Sequence, residues 1–145
     1  MCVFHDIGEA ITGDIPSFYK TEKNEEYENQ CRKELFAKMP QPLGSELTEL
    51  MQEFEEQNTL EAKIAKALDK LEAVIQHDEA DISTWIPLEF DLQYTYAEAA
   101  TAFSEYLTAL KEDVDDLTTK RIEEATKRTG GAVILASNSP RRKEL

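Results

Sequence analysis

The chain has 145 residues, enough for one ordinary domain with a buried core and no covalent staples. Its 30 acidic and 16 basic side chains give a formal net charge of -14, so most of the surface would repel a nucleic acid polymer and exclude it as a partner. Cys2 and Cys31 lack metal-ligand spacing and suit a reduced, cytoplasmic setting, and no apolar run reaches the roughly eighteen residues of a membrane span.

Helix formers dominate, and no glycine falls between Gly44 and Gly130, which predicts an all-α fold. In the opening stretch MCVFHDIGEAITGDIP, residues Val3, Phe4, Ile7, Ala10 and Ile11 recur at helical spacing and predict a helix with an apolar face. His5 and Glu9 are one turn apart and Asp6 neighbours Glu9, so all three can project toward one pocket. Gly13 ends this helix, with Asp14 and Pro16 shaping the exit. A loop, GDIPSFYK, leads to a charged helix, TEKNEEYENQCRKELFAKM, stopped by Pro40 and Pro42, and SELTELMQEFEEQ makes the next amphipathic stretch.

Asn58 or Thr59 is the expected cap of TLEAKIAKALDKLEAVIQ, in which Leu60, Ile64, Leu68, Leu71 and Ile75 form an apolar stripe. Beside it runs a row of Ala62, Ala65, Asp69 and Ala73, whose small members let a second helix approach and give Asp69 access to an interior pocket. The plainer alternative is a surface aspartate paired with Lys66 or Lys70. A loop with Trp85 and Pro87 follows, and YAEAATAFSEYLTALKEDVDDLTTKRIEEATKR then forms one long helix or two. At Gly130-Gly131 the pattern changes: AVILAS reads as a short strand, and NSPRRKEL as a loop and the first turn of a helix.

The adjacent His5 and Asp6 offer a nitrogen and an oxygen ligand to a divalent cation, which needs further ligands from elsewhere in the chain. A second pair, His77-Asp78, has no following glutamate or Gly-Asp loop and reads as a solvated helix terminus, where a protonated His77 suits the helix dipole.

HDIGEAITGDIP, followed at a distance by EFEEQNTLEAKIAKALDKLEAVIQ, resembles the HD-domain phosphohydrolases and, within them, the 5′-deoxynucleotidase-like branch, over about residues 3 to 110. The resemblance implies an all-α HD-domain helical bundle in which His5, Asp6 and Asp69 hold a divalent metal, one of Mn, Co, Mg, Fe or Zn. It implies that Glu9 activates the attacking water and that Asp14 contacts the substrate on its sugar side. The implied activity is metal-dependent removal of phosphate from small nucleotides, with deoxynucleoside 5′-monophosphates as the first expectation, in a soluble cytoplasmic homodimer. A metal lowers the pKa of water and offsets phosphate charge in an acidic protein, so the bottom-up chemistry agrees.

Family members carry a first metal-binding histidine and phosphate-holding basic residues on helices before the His-Asp pair, whereas four residues precede His5 here. The bundle is therefore expected to be N-terminally truncated, whether the chain is a fragment, its start is misassigned or the helices come from elsewhere. An incomplete metal set leaves open a catalytically silent helical domain that binds nucleotides or mediates dimerisation. The tail, AVILASNSPRRKEL, resembles the opening of the Maf-type nucleotide pyrophosphatases, with Ser137, Ser139, Arg141 and Arg142 matching their phosphate-binding loop. The expected organisation is an HD-type domain over 1–129 and a linker with the beginning of a Maf-like segment over 130–145.

Overall fold

The computed structural model describes residues 1–129; the expected strand and the Maf-like positions Ser137, Ser139, Arg141 and Arg142 lie outside them. The described residues are helical, with no strand among them, as the composition predicts. None of their helices is long and apolar enough to cross a membrane. The chain divides into two compact units, Met1–Ala65 and Lys66–Leu145, and the division falls within one helix.

In the first unit, α1 covers only Glu9–Thr12, α2 Glu22–Ala37 and α3 Leu43–Glu56, and α4 begins at Leu60. The predicted opening helix is thus mostly a series of turns. Its apolar face is also not realised, because Val3 and Ile11 are exposed while Phe4 and Ile7 pack on the core. Tight turns over residues 2–8 break the 3.6-residue register, so spacing in this stretch does not translate into one face. Thr21 caps α2 through a reciprocal capping box with Asn24. The core of this unit is Phe36, Leu47, Met51, Phe54 and Ala65. Gly44 lets α3 start against α2, since a Cβ there would stand 2.4 Å from the Phe36 carbonyl oxygen.

The second unit holds the rest of α4, to Glu79, a 3₁₀ turn at Ile82–Thr84, α5 (Glu89–Thr95), α6 (Glu98–Thr101) and α7 (Glu105–Thr129). Thr59 caps α4, accepting from the Ala62 amide at 3.2 Å. The last stretch forms two helices, and Ser104 begins the second by accepting from the Leu107 amide at 3.4 Å. The expected stripe on α4 is realised only in its second half: Leu60, Ile64 and Leu68 are exposed, whereas Leu71 is buried with Ala67, Val74, Ala97, Leu107 and Val114, and Ile75 packs against them. Small side chains bring helix backbones close, so the alanine-containing side of α4 takes the interior.

His77-Asp78 is the other correction, because Asp78 is 2% exposed and not part of a solvated terminus. Its carboxylate accepts from the Thr118 hydroxyl at 2.9 Å and from the Gln93 amide at 3.1 Å. The same Gln93 amide also reaches the Val74 carbonyl at 3.1 Å. Burial pushes the Asp78 carboxyl above its ordinary range, and the Thr118 and Gln93 bonds only partly oppose this. His77 stacks on Trp85 at 4.5 Å between ring centroids, and the Trp85 indole N–H donates to the His77 carbonyl at 3.2 Å. The pair is therefore a structural pin between α4, α5 and α7.

Candidate active site

The site is built in the first unit around the turns that lead into α1. The His5 ring lies against Phe54, with centroids 5.3 Å apart, and its Nδ1 is 3.0 Å from the Cys2 carbonyl oxygen. A carbonyl only accepts, so Nδ1 carries the proton in this contact and Nε2 presents its lone pair when the ring is neutral. Nε2 faces Asp6 Oδ2 at 2.8 Å. Two electron-rich atoms so close need a cation between or beside them, either a proton or a metal ion. A ligating histidine ordinarily donates its other ring N–H to a carbonyl or carboxylate, and His5 does so. The donor set of His5 and Asp6, one imidazole nitrogen and one carboxylate oxygen, therefore fits a divalent cation.

Arg32 of α2 supports this geometry from beneath. Its guanidinium, 8% exposed as a residue, donates to the His5 carbonyl at 3.3 Å, to Asn29 at 2.7 Å and to Glu55 at 2.9 Å. Nothing in the sequence marks Arg32 for this role, because it is one charge among many on a charged helix.

Glu9 opens α1, where an acidic side chain suits the helix dipole. One carboxylate oxygen each from Asp6, Glu9 and Glu28 lies within 4.8 Å of the other two. Lys20 stands among them, its Nζ 3.1 Å from Glu9 Oε1 and 2.6 Å from Glu28 Oε2. Burial raises the Glu9 carboxyl above its ordinary range; the Lys20 bond opposes this, and Asp6 and Glu28 add to the rise. Burial alone would lower the Lys20 ammonium, but its bonds to Glu28 and Glu9 outweigh it and hold the group well above the usual lysine range. Neither Lys20 nor Glu28 is singled out by sequence pattern, and only the loop's return path reveals them.

Gly8 makes the approach of α2 possible. A Cβ at this position would stand 2.7 Å from Glu28 Cγ and 2.9 Å from the Glu28 carbonyl oxygen. The side chain can swing away but the backbone oxygen cannot, so Gly8→Ala is expected to cost about 1–3 kcal/mol through overpacking. Chemical denaturation followed by circular dichroism measures it, and an unchanged midpoint would contradict the packing described.

Gly13, at φ 81°, ends the turn of α1, and Asp14 then lies exposed in the loop. Asp69 belongs to the second unit, on α4, part-buried, with its Oδ2 2.9 Å from Lys66 Nζ. The charged pair named as the plainer alternative is thus present, in a side chain that is 25% exposed rather than fully solvated. The structure brings together His5, Asp6 and Glu9, and it adds Lys20, Glu28 and Arg32 to the residues expected from sequence.

These features define a class: an all-helical protein with an adjacent His-Asp pair and a half-buried carboxylate following on the next turn. The family model for the HD domain matches residues 1–111, and the chain belongs to that family. It is 36% identical over 81 residues to 5′-deoxynucleotidase HDDC2 of Homo sapiens, across 54% of this chain and 40% of that protein. The same-named proteins of Bos taurus and Dictyostelium discoideum are 36% identical over 81 residues and 35% over 78, covering 54% and 52% of this chain and 40% and 41% of theirs. The chain spans about two fifths of the length of these curated relatives. No solved structure matches it significantly.

Proposed function

We propose that the protein is a divalent-metal-dependent phosphohydrolase that removes phosphate from small nucleotides, with deoxynucleoside 5′-monophosphates as substrates and His5, Asp6 and Asp69 as metal ligands. The observation that carries this reading is the His5 tautomer held by the Cys2 carbonyl, which aims Nε2 to the same side as Asp6, beside Glu9. HD-domain membership and the likeness to 5′-deoxynucleotidases support the substrate class.

In this reading a bound divalent cation lowers the pKa of water at the site and offsets the substrate's phosphate charge. Glu9 accepts the proton released as water attacks phosphorus, a role suited to a carboxyl raised by burial; the P–O5′ bond breaks, and the 5′ oxygen takes up a proton to leave nucleoside and inorganic phosphate. His5 and Asp6 fix the reacting centre, Arg32 holds the backbone beneath His5, and the exposed Asp14 takes the sugar hydroxyl. The homodimer implied by the resemblance belongs to the same proposal, and light scattering tests it.

The primary experiment measures phosphate release from deoxynucleoside monophosphates with Mn²⁺ or Co²⁺ and after chelation. Chelator is expected to abolish release, and readdition of metal to restore it. Metal at about 100 times its Kd should also stabilise the fold by about 2.7 kcal/mol, read as a rise in thermal midpoint. Metal binding without phosphate release would favour the silent nucleotide-binding domain instead, and release unaffected by chelation would overturn the mechanism.

A further inference from the structure

The loop after Gly13 folds back on itself, with the Tyr19 and Lys20 amides both donating to the Pro16 carbonyl, at 2.8 and 3.1 Å. This turn carries the Lys20 side chain back to Glu9, eleven residues earlier, and across to Glu28 on α2. All three side chains are largely shielded: Lys20 is 21% exposed, Glu9 19% and Glu28 13%. The ammonium holds Glu9 by Oε1 alone, and Oε2 makes no hydrogen bond among the described residues. Gly8 matters here as well, since without a Cβ it lets the Glu28 backbone come near enough for the bridge to form.

We propose that Lys20 is a positioning residue for the hydrolysis, clamped by Glu28 so that it fixes one oxygen of Glu9 and leaves the other aimed at the attacking water. The proposal rests on the reading of Glu9 as the proton acceptor. A glutamate on a four-residue helix at the edge of a loop has three side-chain torsions to order, and without a fixed partner it samples many rotamers. Catalysis by a positioned base depends on holding one of them. Lys20 supplies the fixed partner, and Glu28 restrains Lys20 in turn, so the order propagates from α2 to the reacting oxygen. An arginine keeps the charge and the reach to both carboxylates, whereas methionine keeps the bulk and loses both bonds.

The test compares Lys20→Met, Lys20→Arg and Glu28→Gln in the full chain, by phosphate release with Mn²⁺ and by carbon-13 NMR of glutamate side-chain carboxyls in the metal-free protein. Glu9 is assigned by the signal that Glu9→Gln removes. Loss of a supporting partner commonly costs 10- to 100-fold, so Lys20→Met is expected to lower kcat by that factor with KM within about threefold. Lys20→Arg should recover most of it, and Glu28→Gln should fall between. In the metal-free spectra the Glu9 carboxyl signal should move in Lys20→Met and stay near its parental position in Lys20→Arg. Parental kcat in Lys20→Met, or an unmoved Glu9 signal in folded Lys20→Met, overturns the proposal. If Lys20→Met fails to fold, an unmoved Glu9 signal in Glu28→Gln overturns it. If the parent releases no phosphate at all, the reading of the function fails, and the NMR comparison still decides whether Lys20 holds Glu9.

Discussion

Glu9→Gln is expected to lower phosphate release by about 10²- to 10⁴-fold while divalent metal still binds, the range for removing a positioned general base. The substitution keeps the length of the side chain and a hydrogen-bond acceptor for Lys20, so the bridge to Glu28 survives and the fold with it. What it removes is the carboxylate that the proposed mechanism uses to take the proton. Isothermal titration with Mn²⁺ should give parental affinity within a fewfold, because the imidazole of His5 and the carboxylate of Asp6 are untouched. His5→Ala is expected to do the reverse, weakening metal binding and activity together. Release at the parental rate from Glu9→Gln would remove Glu9 from the mechanism.

The second large effect concerns stability and arises from Asp78. Replacing it by alanine leaves the Thr118 hydroxyl donor and one N–H donor of the Gln93 amide without their acceptor inside the second unit. Unpaired buried donors cost about 1–3 kcal/mol each, so Asp78→Ala should lose about 2–4 kcal/mol of unfolding free energy. Trp85, the only tryptophan, stacks on His77, the neighbour of Asp78 in sequence, and reports the transition by fluorescence.

The pH dependence has a definite sign. Burial raises the Asp78 carboxyl in the fold, so the folded protein binds its proton more tightly than the unfolded chain does. The stability contributed by that proton is fully present below the ordinary carboxyl range and is lost as pH rises through the raised value. The gap between parent and Asp78→Ala should therefore be widest in acid and narrow toward neutrality. A gap that widens with rising pH would show that the Thr118 and Gln93 bonds outweigh desolvation.

Much was legible in the chain itself. Composition and the scarcity of glycine determine an all-helical protein, and of the two caps expected for α4, Asn58 or Thr59, Thr59 is the one that forms. His5, Asp6 and Glu9 were legible as a group because they are close in sequence, where geometry has little freedom. Spacing failed where it was asked to say which face goes inside. The stripe Leu60, Ile64 and Leu68 carries more apolar surface than Ala67 or Ala65, yet close backbone packing selects the alanines. Residues 2–8 failed for a related reason, since a periodic pattern has no meaning in a run of turns.

Asp78, Lys20, Glu28 and Arg32 belong to tertiary structure alone. Each is a charged residue in a chain that is 32% charged, and nothing local separates it from its solvated neighbours. Their roles come from partners distant in sequence: Lys20 with Glu9, Glu28 with Lys20, Arg32 with the His5 carbonyl, and Asp78 with Thr118. A buried charge persists only where partners compensate its lost hydration, and those partners assemble only when the helices pack. Sequence determined the class of protein and the first residues of its candidate site, while packing decided which charges are pinned in the core and which gather around His5, Asp6 and Glu9.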